Sequence, residues 1–241
     1  GRAGITAVLS DGRRLGARLL VGADGRQSGV AARASIRRLG HDYGQIALVA
    51  AVDHELPHHG TAHQFFMPTG PLAILPLPGN RSSIVWSEEA GQARALIALP
   101  DDAFLTALRP RFGDFLGEIR LAGPRFSYPL NLTLAESYVA PRVALIGDAA
   151  HGVHPIAGQG LNLGLRDVAA LAEVLVEARR RGEDIGTAPV LSRYEQWRRP
   201  DATALALGMD GVNTLFSNGN PLLRAARALG MGVIDHLPAL R

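Results

Sequence analysis

RVALIGDAAHGVHPIAGQGLNLG, residues 142–164, carries more structural information than any other part of the chain. A short apolar run from Val143 to Ile146 ends in Gly147-Asp148. A loop punctuated by glycine and proline follows, and an apolar helix opens near Gly160. The pattern places a carboxylate at the C-terminal end of a strand and backbone N–H groups at a helix start. Open α/β sheets bind ligands beyond the carboxyl ends of their strands, and helix N-termini attract negative charge. Such a site suits a ligand with hydroxyls and a partly anionic ring, as a flavin nucleotide has.

A second stretch repeats the logic. Val21-Gly22-Ala23-Asp24-Gly25 also ends an apolar run with a carboxylate among small residues. An ionised Asp only accepts hydrogen bonds, which suits a polyhydroxyl chain, and small neighbours let a ligand approach the backbone. One Gly-Asp pair alone reads as a cap on the next turn. Two pairs together with Gly158-Gln159-Gly160-Leu161-Asn162 favour a ligand site.

Working outward, Ile5 to Leu9 alternates weakly and Asp11-Gly12 predicts a hairpin turn. Ala17–Val21 reads as a short strand, Ser28–Ile36 as a helix capped by Ser28, and Gln45–Val52 as a strand. Thr61–Phe66, Leu72–Leu77 and Ser82–Ser87 are strand-like runs separated by Pro68-Thr69-Gly70 and Pro78-Gly79-Asn80, which predicts an antiparallel meander. Helices are expected over Ala90–Leu99 and from Asp101 through Leu108, with a return to strand over Phe126–Leu132. A β-rich insert of about 90 residues, longer than a single supersecondary unit, thus separates two α/β pieces. The helix from Gly160 to Arg181 is apolar around most of its girth. Its polar positions Arg166, Glu173, Glu177 and Arg180 share one narrow face, so it is expected to be mostly buried. Residues 189–210 predict a helix interrupted by Pro200, and 221–236 a last amphipathic helix.

Composition narrows the function classes. Of the 241 residues 47% are hydrophobic and 20% charged, with no long polar tract, which argues for a sizeable core and against disorder. The absence of Cys excludes disulfides, thiol catalysis and Cys-ligated zinc, and is compatible with a reducing cytoplasm. All 25 basic residues are Arg, yet the formal net charge is only +3 and the arginines are scattered among few aromatics, which argues against a nucleic-acid partner. No apolar run reaches the ~18 residues that span a bilayer. His54, His58, His59 and His63 fall close together, but Pro57 and Gly60 argue against a shared helix face, so a solvated hairpin loop is preferred over a metal site. Trp86 and Trp197 read as core. No Ser-His-Asp or paired-carboxylate arrangement stands out, so no catalytic side chain and no metal ligand is assigned.

The two Gly/Asp stretches together resemble the aromatic-ring hydroxylase group of FAD-dependent monooxygenases, nearest to the ubiquinone-biosynthesis hydroxylases. Gly22-Ala23-Asp24-Gly25-Arg26-Gln27-Ser28-Gly29-Val30 is similar to that group's GADGxxSxVR motif, with Ala31 where the motif has Arg and Arg33 two residues on. Gly147-Asp148-Ala149-Ala150-His151, Pro155 and Gly158 to Gly164 match GDAAHxxxPxxGQGxNxG throughout. The segment from Thr61 to Trp86 resembles the sheet of the subgroup's substrate domain. The resemblance covers essentially the full chain.

The resemblance implies an α/β fold with an α+β insert: a partial Rossmann-like FAD-binding domain and a β-sheet substrate domain, para-hydroxybenzoate-hydroxylase-like. The expected division is 1–38 and 133–200 for the FAD-binding domain, 39–132 for the substrate domain and 201–241 for a C-terminal helical segment. FAD would be held by Asp24, Gly25, Gly147, Asp148, Pro155, Gly158, Gln159, Gly160, Leu161 and Asn162. Asp148 would hold the ribityl chain and Pro155 would lie near the isoalloxazine ring. Backbone N–H groups of Gly160, Leu161 and Asn162 would face the pyrimidine edge, where a helix start contributes about 0.3–1 kcal/mol when exposed and up to ~2 when partly buried. Asp24 would sit on the pyrophosphate side and couple to nicotinamide-cofactor use.

The implied activity is hydroxylation of an aromatic ring with NAD(P)H and O2, the substrate a polyprenylated phenol of ubiquinone biosynthesis. Alternatives are another hydrophobic aromatic substrate or a truncated, non-catalytic flavoprotein-fold binding module. The group's N-terminal GxGxxG is not matched: Gly158-Gln159-Gly160 continues into Leu161-Asn162-Leu163, and Gly230-Met231-Gly232 fails likewise. An upstream FAD-binding segment is therefore the expected partner, and the fragment alone is expected to be inactive and to bind FAD weakly or not at all. The expected location is cytoplasmic with peripheral contact at the inner membrane or with a ubiquinone-biosynthesis complex. The 221–236 stretch, with Arg224 and Arg227, is a candidate membrane-surface element, although a helix that closes the fold is preferred there.

Overall fold

The structure, a computed structural model, describes residues 4–216. Strands β1 (Ile5–Val8) and β2 (Arg14–Ala17) form an antiparallel hairpin in which Ile5 pairs with Ala17 and Val8 with Arg14. Gly12, at φ +83°, makes the turn that Asp-Gly predicts. Strand β3 (Leu20–Gly22) leads to helix α1 (Gly29–Arg33), and Ser28 Oγ accepts from the Ala31 amide at 2.9 Å as its cap. The helix is shorter than expected because Ser35, at φ +56°, turns the chain out of helical conformation. Strand β4 (Arg38–His54) extends the expected Gln45–Val52 run at both ends.

Strands β5 (His63–Met67), β6 (Gly70–Leu77) and β7 (Arg81–Glu89) form the expected antiparallel meander. Helices α2 (Ala90–Ile97) and α3 (Asp101–Phe112) follow, then β8 (Ile119–Leu121), β9 (Phe126–Ala135), β10 (Val139–Ala140) and β11 (Val143–Leu145). A 3-10 turn at Gly147–Ala149, strand β12 (His151–Gly152) and a second 3-10 turn at Pro155–Ala157 precede the long helices α4 (Gly160–Arg180) and α5 (Ala188–Phe216).

The described residues divide into two compact units, one of 4–43 with 131–210 and one of 44–130 with 211–216. The first holds a three-stranded sheet in the order β10-β11-β3. β11 and β3 run parallel, Val143 beside Leu20 and Leu145 beside Gly22. Its core gathers Tyr138, Leu145, Leu163, Val174 and Tyr194, and the buried Tyr194 hydroxyl donates to the Leu145 carbonyl at 2.7 Å. Gly22 is required where β3 passes β11, because a Cβ there would lie 2.8 Å from Leu145 Cδ2 and 2.9 Å from Val30 Cγ1.

The second unit is an antiparallel sheet in the order β4-β7-β6-β5, with β8 paired to β4 through Val52 and Leu121. Alternate residues Leu48, Val52, Ile74, Ile84 and Trp86 point into a core completed by Phe104, Leu108 and Phe112 of α3. Trp86 is wholly buried, as expected, with the Arg111 guanidinium 4.9 Å from its ring centre.

Three expectations need correction. Helix α4 buries only one side, formed by Leu163, Asp167, Ala170, Leu171, Val174 and Ala178. Leu161, Leu165, Val168 and Val176 are exposed, because no described element lies over that side of the helix. Helix α5 runs through Pro200 without interruption: Tyr194, Arg198 and Ala202 on either side are buried, and that packing outweighs the single backbone bond a proline removes. Trp197 is half exposed, on the outer side of α5 next to the buried Arg198. The expected 221–236 helix lies outside the described residues.

Candidate functional site

The two Gly/Asp stretches leave the same edge of one sheet. Because β3 and β11 are parallel neighbours, both Gly22-Ala23-Asp24 and Ile146-Gly147-Asp148 follow the C-terminal ends of their strands. The Ile146 amide donates to the Gly22 carbonyl at 3.0 Å and extends the ladder to the point of departure. Gly147, at φ +58°, then turns the chain into the left-handed region, where glycine has no Cβ penalty. The Ala150 amide closes the turn on the Gly147 carbonyl at 2.8 Å.

Arg26 ties the two stretches together. Its Nε donates to Asp148 Oδ2 at 3.1 Å, Nη1 to the Asn131 carbonyl at 3.0 Å and Oδ1 at 2.8 Å, and Nη2 to the Val153 carbonyl at 2.7 Å. Asp148 keeps 39% of its side chain exposed, so it can still accept from a ligand. Asp24 is turned to local use: its Oδ2 accepts from the Val30 amide at 3.0 Å, at the start of α1. Partial burial works against ionisation there, but the Ser28 hydroxyl and the Val30 and Gly29 amides outweigh it and hold the carboxyl below its usual value. A Cβ at Gly25, φ +78°, would meet nothing within 4 Å, so the space beside that turn is open.

Beyond β12 the chain reaches Pro155 through His154, whose Nδ1 accepts from the Ile156 amide at 3.2 Å. The His154 ring is buried and stacks edge-on to Tyr43 with 4.9 Å between centres. Burial, helped by the nearby Arg26 charge and opposed by Asp210, pushes its pKa down to about 4. Gly158, at φ +61°, reverses the chain with its amide on the Pro155 carbonyl at 2.9 Å, and a Cβ there too would meet nothing within 4 Å. Gln159 occupies the cap of α4 without a side-chain bond to the helix amides. Gly160, Leu161 and Asn162 form the first turn, and Leu161 is 75% exposed. Gly164 faces Gly147 so closely that a Cβ on it would lie 3.4 Å from the Gly147 Cα. This backbone contact sets the start of α4 against the Asp148 turn.

Beneath the turn lies a buried charge cluster. Asp167 Oδ2 accepts from the Gly147 amide at 2.8 Å and from His151 Nε2 at 2.6 Å, and Oδ1 accepts from Arg198 Nε at 2.8 Å. Burial opposes the Asp167 charge, but His151, Arg198 and the Gly147 amide together keep the carboxyl below its ordinary value.

Asp24, Gly25, Gly147 and Asp148 therefore meet at one sheet edge, while Pro155, Gly158, Gln159, Gly160, Leu161 and Asn162 line the loop that leads into α4. Sequence reasoning missed Arg26, Asp167 and Arg198. Arg26 sits directly after the Asp24-Gly25 pair. Asp167 is a lone acid on the apolar side of a helix, and both are signals the sequence carries. Among the described residues no group of three or more His, Cys, Asp or Glu is placed to hold a metal ion. His54 bonds to the Leu56 carbonyl and to Ser82, and His58 to the Leu77 carbonyl.

The model of the FAD binding domain family matches residues 2–207. The chain is 52% identical over 240 residues to ubiquinone hydroxylase UbiL of Rhodospirillum rubrum, covering 99% of this chain and 56% of that protein. It is 39% identical to the 3-demethoxyubiquinol 3-hydroxylase of Escherichia coli over 234 residues, covering 97% and 59%. Among solved structures, Pseudomonas aeruginosa PqsL in complex with 2-aminobenzoylacetate superposes with a TM-score of 0.71 at 27% identity, over 88% of this chain and 59% of that one. The chain spans little more than half the length of the curated relatives it matches. The para-hydroxybenzoate-hydroxylase-like fold expected from the motifs is borne out.

Proposed function

The chain belongs to the FAD binding domain family, and from that premise we propose that it is part of an FAD-dependent monooxygenase that hydroxylates the aromatic ring of a polyprenylated phenol in ubiquinone biosynthesis, with NAD(P)H as reductant and O2 as co-substrate. One observation carries the reading: parallel pairing of β3 and β11 sends both Gly/Asp stretches off the same sheet edge, beside the start of α4. The residues fit FAD. Asp148 offers a partly exposed carboxylate to ribityl hydroxyls, and the glycine turns at Gly25 and Gly158 leave room beside the backbone.

When bound, FAD supplies the redox and oxygen chemistry. The chain's own residues bind and orient it. Asp148 would accept hydrogen bonds from the ribityl hydroxyls, Arg26 holds the Asp148 carboxylate in place, and the amides of Gly160, Leu161 and Asn162 would stabilise negative charge on the ring's pyrimidine edge. Pro155 would lie near the isoalloxazine ring. Asp24 acts from the pyrophosphate side through the α1 start that it holds.

The same reading assigns the exposed stripe Leu161, Leu165, Val168 and Val176 to contact with an upstream FAD-binding segment, because an apolar helix side of that length calls for a covering layer. No helix among the described residues is long and apolar enough to cross a membrane. A polyprenyl tail partitions into hydrocarbon, and so the proposal includes peripheral contact with the bacterial inner membrane from the cytoplasmic side. The names of the relatives support the pathway and the ring chemistry, at 52% and 39% identity over nearly the whole of this chain.

The test is to purify the full-length protein, record its visible spectrum and follow NAD(P)H oxidation with a prenylated phenol. Bound flavin and phenol-stimulated oxidation are expected, with FAD affinity lowered at least about tenfold in Asp148→Ala, the loss of one charge-assisted contact. Full flavin occupancy and unchanged affinity in Asp148→Ala would overturn the assignment of the site.

A further inference from the structure

The Gly147–His151 loop is anchored from below at both ends by one side chain. Asp167 Oδ2 accepts hydrogen bonds from the Gly147 amide at 2.8 Å and from His151 Nε2 at 2.6 Å. Between these anchors stands Asp148, the only acid of the loop and the group exposed to ligand. Asp167 and His151 have no exposed surface, and Arg198, the third partner, is only 3% exposed. A carboxylate so placed is destabilising unless every lone pair is engaged. The described contacts supply one amide, one imidazole and one guanidinium. Its partners come from two separate parts of the chain: the two ends of the loop, at Gly147 and His151, and α5, at Arg198. Asp167 is therefore the point where α4 and α5 are registered against the turn that presents Asp148.

We propose that Asp167, hydrogen-bonded to His151 and ion-paired with Arg198, is a positioning residue for the flavin: it fixes the Gly147–His151 loop so that the Asp148 carboxylate is presented at one angle to the ribityl chain. The inference rests on the reading of Asp148 as a flavin ligand. Asp167 touches no ligand itself and acts through Asp148 alone. The lowered carboxyl pKa agrees with a group kept anionic for this purpose.

A double-mutant cycle in the full-length protein tests it, read as the FAD dissociation constant of the apoprotein by flavin fluorescence. Asp167→Asn removes the charge and one acceptor and is expected to weaken FAD about tenfold; in an Asp148→Ala background the same change is expected to weaken it less than about twofold, because the coupled group is gone. Losses that simply multiply, or no loss in Asp167→Asn, overturn the inference while leaving the flavin site standing. No loss in Asp148→Ala overturns the site reading and the inference with it. Should Asp167→Asn fail to fold, His151→Leu and His151→Gln carry the comparison. The Gln variant keeps a donor toward Asp167 and is expected to hold FAD within about threefold of wild type, with about tenfold loss for Leu. Equal losses in the two overturn the inference.

Discussion

His154 illustrates what burial does to one ionisable residue. Its ring sits against Tyr43, with Nδ1 on the Ile156 amide, and its pKa falls from the ordinary 6.5 to about 4. Between those two values the unfolded chain binds a proton that the folded chain refuses. Stability from this residue is thus complete above pH 6.5 and is lost as the pH falls toward 4, up to about 3 kcal/mol in all. Urea unfolding at pH 7.5 and 4.5 is expected to show that loss in the wild type, and His154→Gln, which cannot take up the proton, is expected to lose less by about that amount. An equal pH dependence in both proteins would show that His154 is not held neutral. At this scale the sequence spoke clearly where a motif fixes backbone, as at Gly147 and Gly158, whose positive φ angles only glycine adopts at low cost. It marked Arg26 and Asp167 as unusual but did not name their partners, which lie 122 and 16 positions away in the chain.

Among the elements, α4 carries the sharpest contrast between pattern and packing. Its composition predicts burial on nearly all sides, yet Leu161, Leu165, Val168 and Val176 line an open face. Periodicity records which side chains are apolar and says nothing of which layer covers them. The meander was legible for the opposite reason: β5, β6 and β7 pair with their sequence neighbours, and the Pro/Gly/Asn turns fix the register locally. The run of α5 through Pro200 was not legible, since buried neighbours on both sides override a local preference. The open face makes a direct prediction. Leu165→Gln with Val168→Gln is expected to lower dye binding by the present chain while changing its unfolding free energy by less than about 0.5 kcal/mol, as for surface positions. In the full-length protein the same pair is expected to cost about 2 kcal/mol or more, by the apolar area left unmatched. A loss that is equally small in both proteins would mean that nothing covers the face.

Taken whole, the chain closes its ligand-side sheet across a long sequence span. Leu145 pairs with Gly22 in parallel register although the entire 44–130 unit lies between them in sequence. Bringing two ends together across on the order of 100 residues costs about 4 kcal/mol of chain entropy, whereas each meander contact spans a short turn. A unit that collapses first shortens the remaining span, so connectivity predicts an order of assembly in which the inserted sheet nucleates and the parallel pair zips afterwards. In stopped-flow experiments Ile84→Ala is expected to slow refolding, while Leu145→Ala is expected to leave the refolding rate nearly unchanged and to speed unfolding. The reverse pattern would place the late step in the insert. The β3–β11 contact would then be the final latch of a growing polypeptide, and ligand-binding competence would be the last property the nascent molecule acquires.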